Sequence, residues 1–149
     1  MMRSTLAIAA LALSACAASR IEQTPAEEKL HDNIAAVHAA IGRGDLEKWY
    51  AMTPPSVRNQ MSLADFKRDI RWDSVGARRP PQEWKAEVAK LCSCRQETTF
   101  RCVVSVHLKI TDAEKAPVEE WPLETWDHVG GNWYLAYIGA NTGGRCPGQ

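Results

Sequence analysis

The sequence predicts an α+β fold in which N-terminal helices pack on a curved antiparallel sheet of about four strands. Three observations carry that expectation. Between residues 30 and 70 apolar side chains recur at spacings of three and four, as on one face of a helix, and after residue 82 they recur at every second position, as on one face of a strand. Gly130-Gly131 stands between two such alternating runs, where a tight hairpin turn needs positive φ angles. Elements with one apolar side each must cover those sides against one another, so the helices are expected on the sheet.

The elements follow in order. Thr24 suits a helix cap, Pro25 the first helical position, and Glu27 stands three residues after Thr24 as in a capping box. Leu30, Ile34, Val37 and Ile41 then form a stripe, and Gly42 and Gly44 are expected to stop the helix. Asp45 caps a second helix carrying Leu46, Trp49, Tyr50 and Met52, which Pro54-Pro55 closes or bends. Ser62 starts a third, with Asp65 three residues on and Leu63, Phe66 and Ile70 on one side. Residues 73–81, with Gly76, Arg78-Arg79 and Pro80-Pro81, read as a connector. Arg78-Arg79 is a small basic point, solvated or turned toward anionic lipid head groups.

Beyond the connector, Trp84, Ala86 and Val88 alternate with Glu83, Lys85 and Glu87, and Leu91 then breaks the phase, which a bulge near Ala89-Lys90 explains. The cleanest strand is Thr99 to Ile110. Phe100, Cys102, Val104, Val106, Leu108 and Ile110 face one way, and Arg101, Ser105, His107 and Lys109 the other. Residues 118–128 and 132–139 complete the sheet, with an irregularity expected at Pro122, which has no N–H to give a ladder.

Composition excludes whole classes of function. The chain has 149 residues with 18 basic and 18 acidic side chains, so its formal charge is zero. It lacks the cationic excess that neutralises a row of phosphates, and no nucleic-acid partner is expected. No run after residue 15 approaches the roughly 18 apolar residues of a membrane-spanning helix.

The first residues carry an address. Met1-Met2-Arg3 is a short positive start, Leu6 to Leu13 an apolar stretch, and Leu13-Ser14-Ala15-Cys16 resembles the bacterial lipoprotein box. The resemblance implies a signal peptide over residues 1–15, lipid attachment at Cys16, and a tether over residues 16–23 ahead of a domain spanning residues 24–149. The alternative is an ordinary secretory signal cut after Ala15 or after Ala17-Ala18. Two or three acyl chains would hold the protein on a membrane without crossing it, since each buried CH₂ contributes about 0.8 kcal/mol. Ala17 after the cysteine resembles the pattern of lipoproteins sent to the outer membrane of the cell envelope, and the periplasmic face is the expected location.

A second resemblance covers nearly all of residues 24–139. The run from Ala35 to Tyr50, with its Gly44-Asp45 turn, then Pro54 to Met61 and Leu63 to Ile70, resembles the helical opening of nuclear transport factor 2-like domains, whose cone is also described as cystatin-like. Trp126, Gly130-Gly131 and Trp133-Tyr134-Leu135 resemble that family's last hairpin. The resemblance implies a long helix, a short helix and a curved sheet closing into a cone. It implies no single activity, because such cones serve isomerases, dehydratases, transport adaptors and non-enzymatic modules.

With Cys16 acylated, Cys92, Cys94, Cys102 and Cys146 remain, an even number in an oxidising compartment. Cys92 and Cys94, two apart on one strand, are expected to share a face and not to bond each other. Two connectivities survive. The preferred one joins Cys94 to Cys102 across a turn near Thr98 and Cys92 to Cys146, tying the Gly-rich tail back to the sheet. Zinc on four thiolates is the alternative, although Cys-x-Cys is not the usual spacing, and neither a metal nor another cofactor is expected.

Catalytic signals are sparse. His31 and His38 are read as flanking the helical stripe at its solvent edge, and His107 as an exposed imidazole. Asp127 and His128 precede the hairpin and form an acid–base pair only if a pocket opens there. The expected cone lining is Phe, Cys, Val, Val, Leu and Ile, which abstracts no proton, with Trp121, Asp127, Tyr134 and Tyr137 as the remaining contributors. Six tryptophans stand out, and Trp84, Trp121 and Trp126 are candidates for an apolar pocket or a partner-binding patch. The expected function is therefore a membrane-anchored binding or interaction module for an envelope protein or a small apolar ligand. The alternative is a small isomerase- or dehydratase-like enzyme using the cone.

Overall fold

The computed structural model describes residues 27–70 and 82–148. The expected signal peptide, Cys16, the tether, the Thr24 cap and the connector with Arg78-Arg79 lie outside the described residues.

Helix α1 spans Glu27–Arg43, and its stripe is the core side: Leu30, Ile34, Val37 and Ile41 are all buried. Gly44, at φ 73°, ends it. Gly42 does not. It lies inside the helix, where a Cβ would stand 2.6 Å from Cδ1 of Trp84, so this glycine is a contact point between helix and sheet. Helix α2, Leu46–Ala51, begins at Asp45, whose Oδ1 accepts from the Lys48 N–H at 3.0 Å. Pro54-Pro55 goes beyond closing α2, because Pro55 opens a separate turn, α3, Pro55–Arg58. Helix α4, Leu63–Asp69, is capped by Ser62, whose Oγ accepts from the Asp65 N–H at 3.1 Å and donates to Oδ2 at 2.6 Å.

Five strands rather than four make one open antiparallel sheet: β1 (Glu83–Gln96), β2 (Phe100–Asp112), β3 (Lys115–Glu120), β4 (Pro122–Val129) and β5 (Asn132–Asn141). The order is β1-β2-β4-β5, and β3 lies along β2 in line with β4. The extra strand comes from Trp121-Pro122. Leu108 stands opposite Glu120 and Ser105 opposite Leu123, so the register is the same on both sides of the break. The irregularity expected at Pro122 thus divides one long strand in two without shifting it.

The phase break in β1 is a register shift between Val88 and Lys90, as expected, and a second shift falls between Leu91 and Ser93. That second shift corrects the reading of Cys92 and Cys94 as same-face neighbours. Cys94 faces Cys102 across the hairpin, while Cys92 sits in the irregularity and reaches the tail. Both preferred pairs are at bonding distance, with Cys92–Cys146 at 1.99 Å and Cys94–Cys102 at 2.02 Å.

Inside, α1 lies over the sheet. Its stripe joins Cys102, Val104, Val106, Leu108 and Ile110 of β2, Trp84, Trp126, Trp133 and Leu135 of the other strands, and Trp49 and Phe66 of the smaller helices. Asn33 donates to the Trp133 carbonyl at 3.0 Å, and the Leu135 N–H to the Met52 carbonyl at 2.9 Å. The second bond places the end of α2 against β5, which sets the small helices over one end of the sheet. No helix among the described residues is long and apolar enough to cross a membrane.

Candidate functional site

A cavity of about 620 Å³ opens between the small helices and β5. That volume lies within the range of small-molecule sites. Trp49, Val57, Met61, Phe66 and Ile70 wall one side, Trp84, Leu108, Leu135 and Ile138 another, and Tyr137, Asp69, Glu120 and Asn141 also line it. The walls are apolar because α2 and α4 turn the inner sides of their short stripes toward the sheet. Trp49 and Phe66 meet edge to face, with ring centroids 5.3 Å apart.

His38 contributes to this lining and is 1% exposed. Its Nε2 lies 2.5 Å from Oε1 of Glu124, itself fully buried, and Oε2 of Glu124 accepts from the Trp126 indole N–H at 2.8 Å. Both carboxylate oxygens are thus engaged, as a buried acidic group requires. Nδ1 of His38 is buried without a partner.

This pair overturns one expectation. His38 is not a solvent-edge residue, since it follows Val37 and lies between Ile34 and Ile41 on a face wider than the apolar stripe. The apolar face of β2 is buried as expected, and the polar contribution comes from β4, at a residue the sequence reading did not single out. Opposite Val104 on β2, Glu124 takes the inner face of β4, and Trp126 follows opposite Cys102. The alternation of Glu124 with Trp126 was a readable signal, because a tryptophan turned inward carries the residue two positions earlier with it.

The other candidates fall in different places. Trp84 and Tyr137 line the cavity, Trp84 buried beside His38 with ring centroids 6.0 Å apart and Tyr137 at 65% exposure. Trp126 is buried beneath Glu124, so it orients the acid without lining the cavity. Trp121 stacks on His107 with ring centroids 5.0 Å apart and does not line the cavity, although its neighbours Glu120 and Pro122 do. Asp127 belongs to the opposite face, where Arg101 binds both its oxygens at 2.7 and 2.9 Å. This fork holds the Arg101 guanidinium above its ordinary basicity, chiefly through the hydrogen bonds to Asp127. His128 tilts against Trp133 at 5.0 Å, so Asp127 and His128 make no acid–base pair. Among the described tryptophans, Trp121 is half-buried and the others are buried.

His107 is not a free imidazole. Glu87 Oε1 lies 3.0 Å from its Nδ1 and Glu119 Oε2 3.2 Å from its Nε2, and the hydrogen bonds to these carboxylates, Glu87 foremost, raise its pKa from the ordinary 6.5. The two carboxylates sit on opposite nitrogens and share no point where a metal ion could meet all three. No cluster of three metal-ligating side chains occurs among the described residues. Comparison of the chain with protein-family models, with characterised proteins and with solved structures finds no match.

Proposed function

We propose that this chain is a lipoprotein of the bacterial cell envelope whose nuclear transport factor 2-like domain binds a small, mainly apolar ligand. The observation that carries the binding reading is the cavity beneath α2, α3 and α4, large enough for a small molecule and walled by aromatic and aliphatic side chains. The Leu13-Ser14-Ala15-Cys16 box supports the anchor, and helices packed against an open antiparallel sheet support the family reading. Gentle detergent extraction followed by native mass spectrometry should show the chain with a bound small molecule that is lost in Trp49→Ala. A chain recovered empty from its own membrane, and remaining empty when offered a lipid extract, overturns the binding reading. For the anchor, Cys16→Ser should move the protein to the soluble fraction, and an unmodified protein that remains on membranes rejects it.

A second reading rests on His38 and Glu124. A carboxylate hydrogen-bonded to an imidazole that belongs to a cavity lining is an arrangement suited to a general base. Such a pair would serve isomerase- or dehydratase-type proton abstraction. A ligand returned unchanged after long incubation favours binding, whereas conversion that is lost in His38→Gln with binding retained favours the enzyme.

A further inference from the structure

The cavity has a one-sided charge. Its lining holds two carboxylates, Asp69 and Glu120, and neither lysine nor arginine among the described residues. Asp69 is already engaged by Arg68, whose Nε lies 2.9 Å from its Oδ1, and its side chain is largely in solvent. Glu120 differs. It stands opposite Leu108, so its side chain shares the inner face with that core residue, and it is half-buried with no described lysine or arginine in ion-pair contact. A partly desolvated carboxylate without a counterion is electrostatically costly, and a cation placed beside it offsets that cost. Away from Glu120, the cavity is lined by Trp49, Phe66 and Leu135, and by His38, nearly fully buried with Nδ1 unpartnered. The charge demand of the cavity among the described residues is thus a cation at Glu120.

We infer that the ligand is an organic monocation, an amine whose ammonium group sits at Glu120 and whose apolar body fills the cavity toward His38. The inference rests on the reading of the cavity as a ligand site and narrows it by charge. A fatty carboxylate or other anionic amphiphile would meet Glu120 with like charge and no compensating lysine or arginine among the described lining residues. Trp49 and Tyr137 also line the cavity, and aromatic rings attract cations and repel anions at their faces.

A matched set of probes separates these outcomes. Octylamine, 1-octanol and octanoate share one apolar chain and differ in charge, and their binding to the full chain with disulfides intact is read by tryptophan fluorescence and calorimetry. Octylamine should bind about tenfold more tightly than octanol, with octanoate weakest, and Glu120→Gln should reduce the amine to the level of octanol. Added salt should weaken octylamine binding to the unsubstituted protein and leave octanol unchanged, a test that needs no variant. Octanol equal to octylamine, or octanoate preferred to both, overturns the cationic assignment while leaving the cavity a ligand site. Failure of all three probes to bind overturns the inference and the ligand-site reading together.

Discussion

The imidazole of His38 and the carboxylate of Glu124 meet with Nε2 and Oε1 2.5 Å apart, joining the middle of α1 to the inner face of β4 where both side chains are shielded from solvent. Removing either partner leaves the other buried without its hydrogen bond. Glu124→Ala and His38→Ala are each expected to lower unfolding free energy by about 3 kcal/mol. The double substitution His38→Ala with Glu124→Ala should cost less than the sum of the singles, because it removes both buried polar groups at once. Urea denaturation of the four proteins checks this, and strict additivity would contradict the coupling.

Gly42 sets how closely α1 approaches β1. A methyl group there would stand 2.6 Å from Cδ1 of Trp84 and 2.8 Å from the Gln82 carbonyl, which itself belongs to the chain that accepts the helix. Gly42→Ala therefore overpacks the contact and should destabilise by about 1–3 kcal/mol, despite the better helix propensity of alanine. An unchanged or raised melting temperature would mean that the helix shifts freely, contrary to this packing.

The two bridges close very different loops. Cys92–Cys146 spans a sequence separation of 54 and Cys94–Cys102 one of 8, so loop-closure entropy assigns about 4 kcal/mol to the first and about 2.5 kcal/mol to the second. Alanine at both positions of each bridge, compared by chemical denaturation, should preserve that order. Peptide mapping without reduction should recover these two pairs and not Cys92 with Cys102.

His107 makes stability depend on pH. Its folded pKa is raised by the hydrogen bonds to Glu87 and Glu119, so the protonated form is favoured on folding. The contribution is fully present below the ordinary histidine value of 6.5 and is lost as pH rises through the raised folded value. His107→Gln should accordingly show a smaller loss of stability than the unsubstituted protein as pH rises from below 6.5 through the raised folded value. Parallel pH curves for the two proteins would show that the imidazole does not couple to folding.

Much of the scaffold was legible before any coordinates. The stripe from Leu30 to Ile41, the caps at Asp45 and Ser62, the alternation from Phe100 to Ile110 and the Gly130-Gly131 hairpin all depend on interactions within a few residues, where period and local hydrogen bonding decide the outcome. Even the cysteine pairs followed, because a turn near Thr98 places Cys94 against Cys102 and leaves Cys92 for the tail. The site was a different matter. His38 on a helix and Glu124 on a strand are each ordinary polar residues in sequence, and only the packing of α1 over β4 makes them a buried pair. Glu120 and Leu108 likewise share a face only because the register of β3 survives the break at Trp121-Pro122. Local periodicity determines which side of an element is apolar. Which polar groups are trapped between two such sides is decided by tertiary contact, because burial and pairing belong to two segments at once and are written in neither alone.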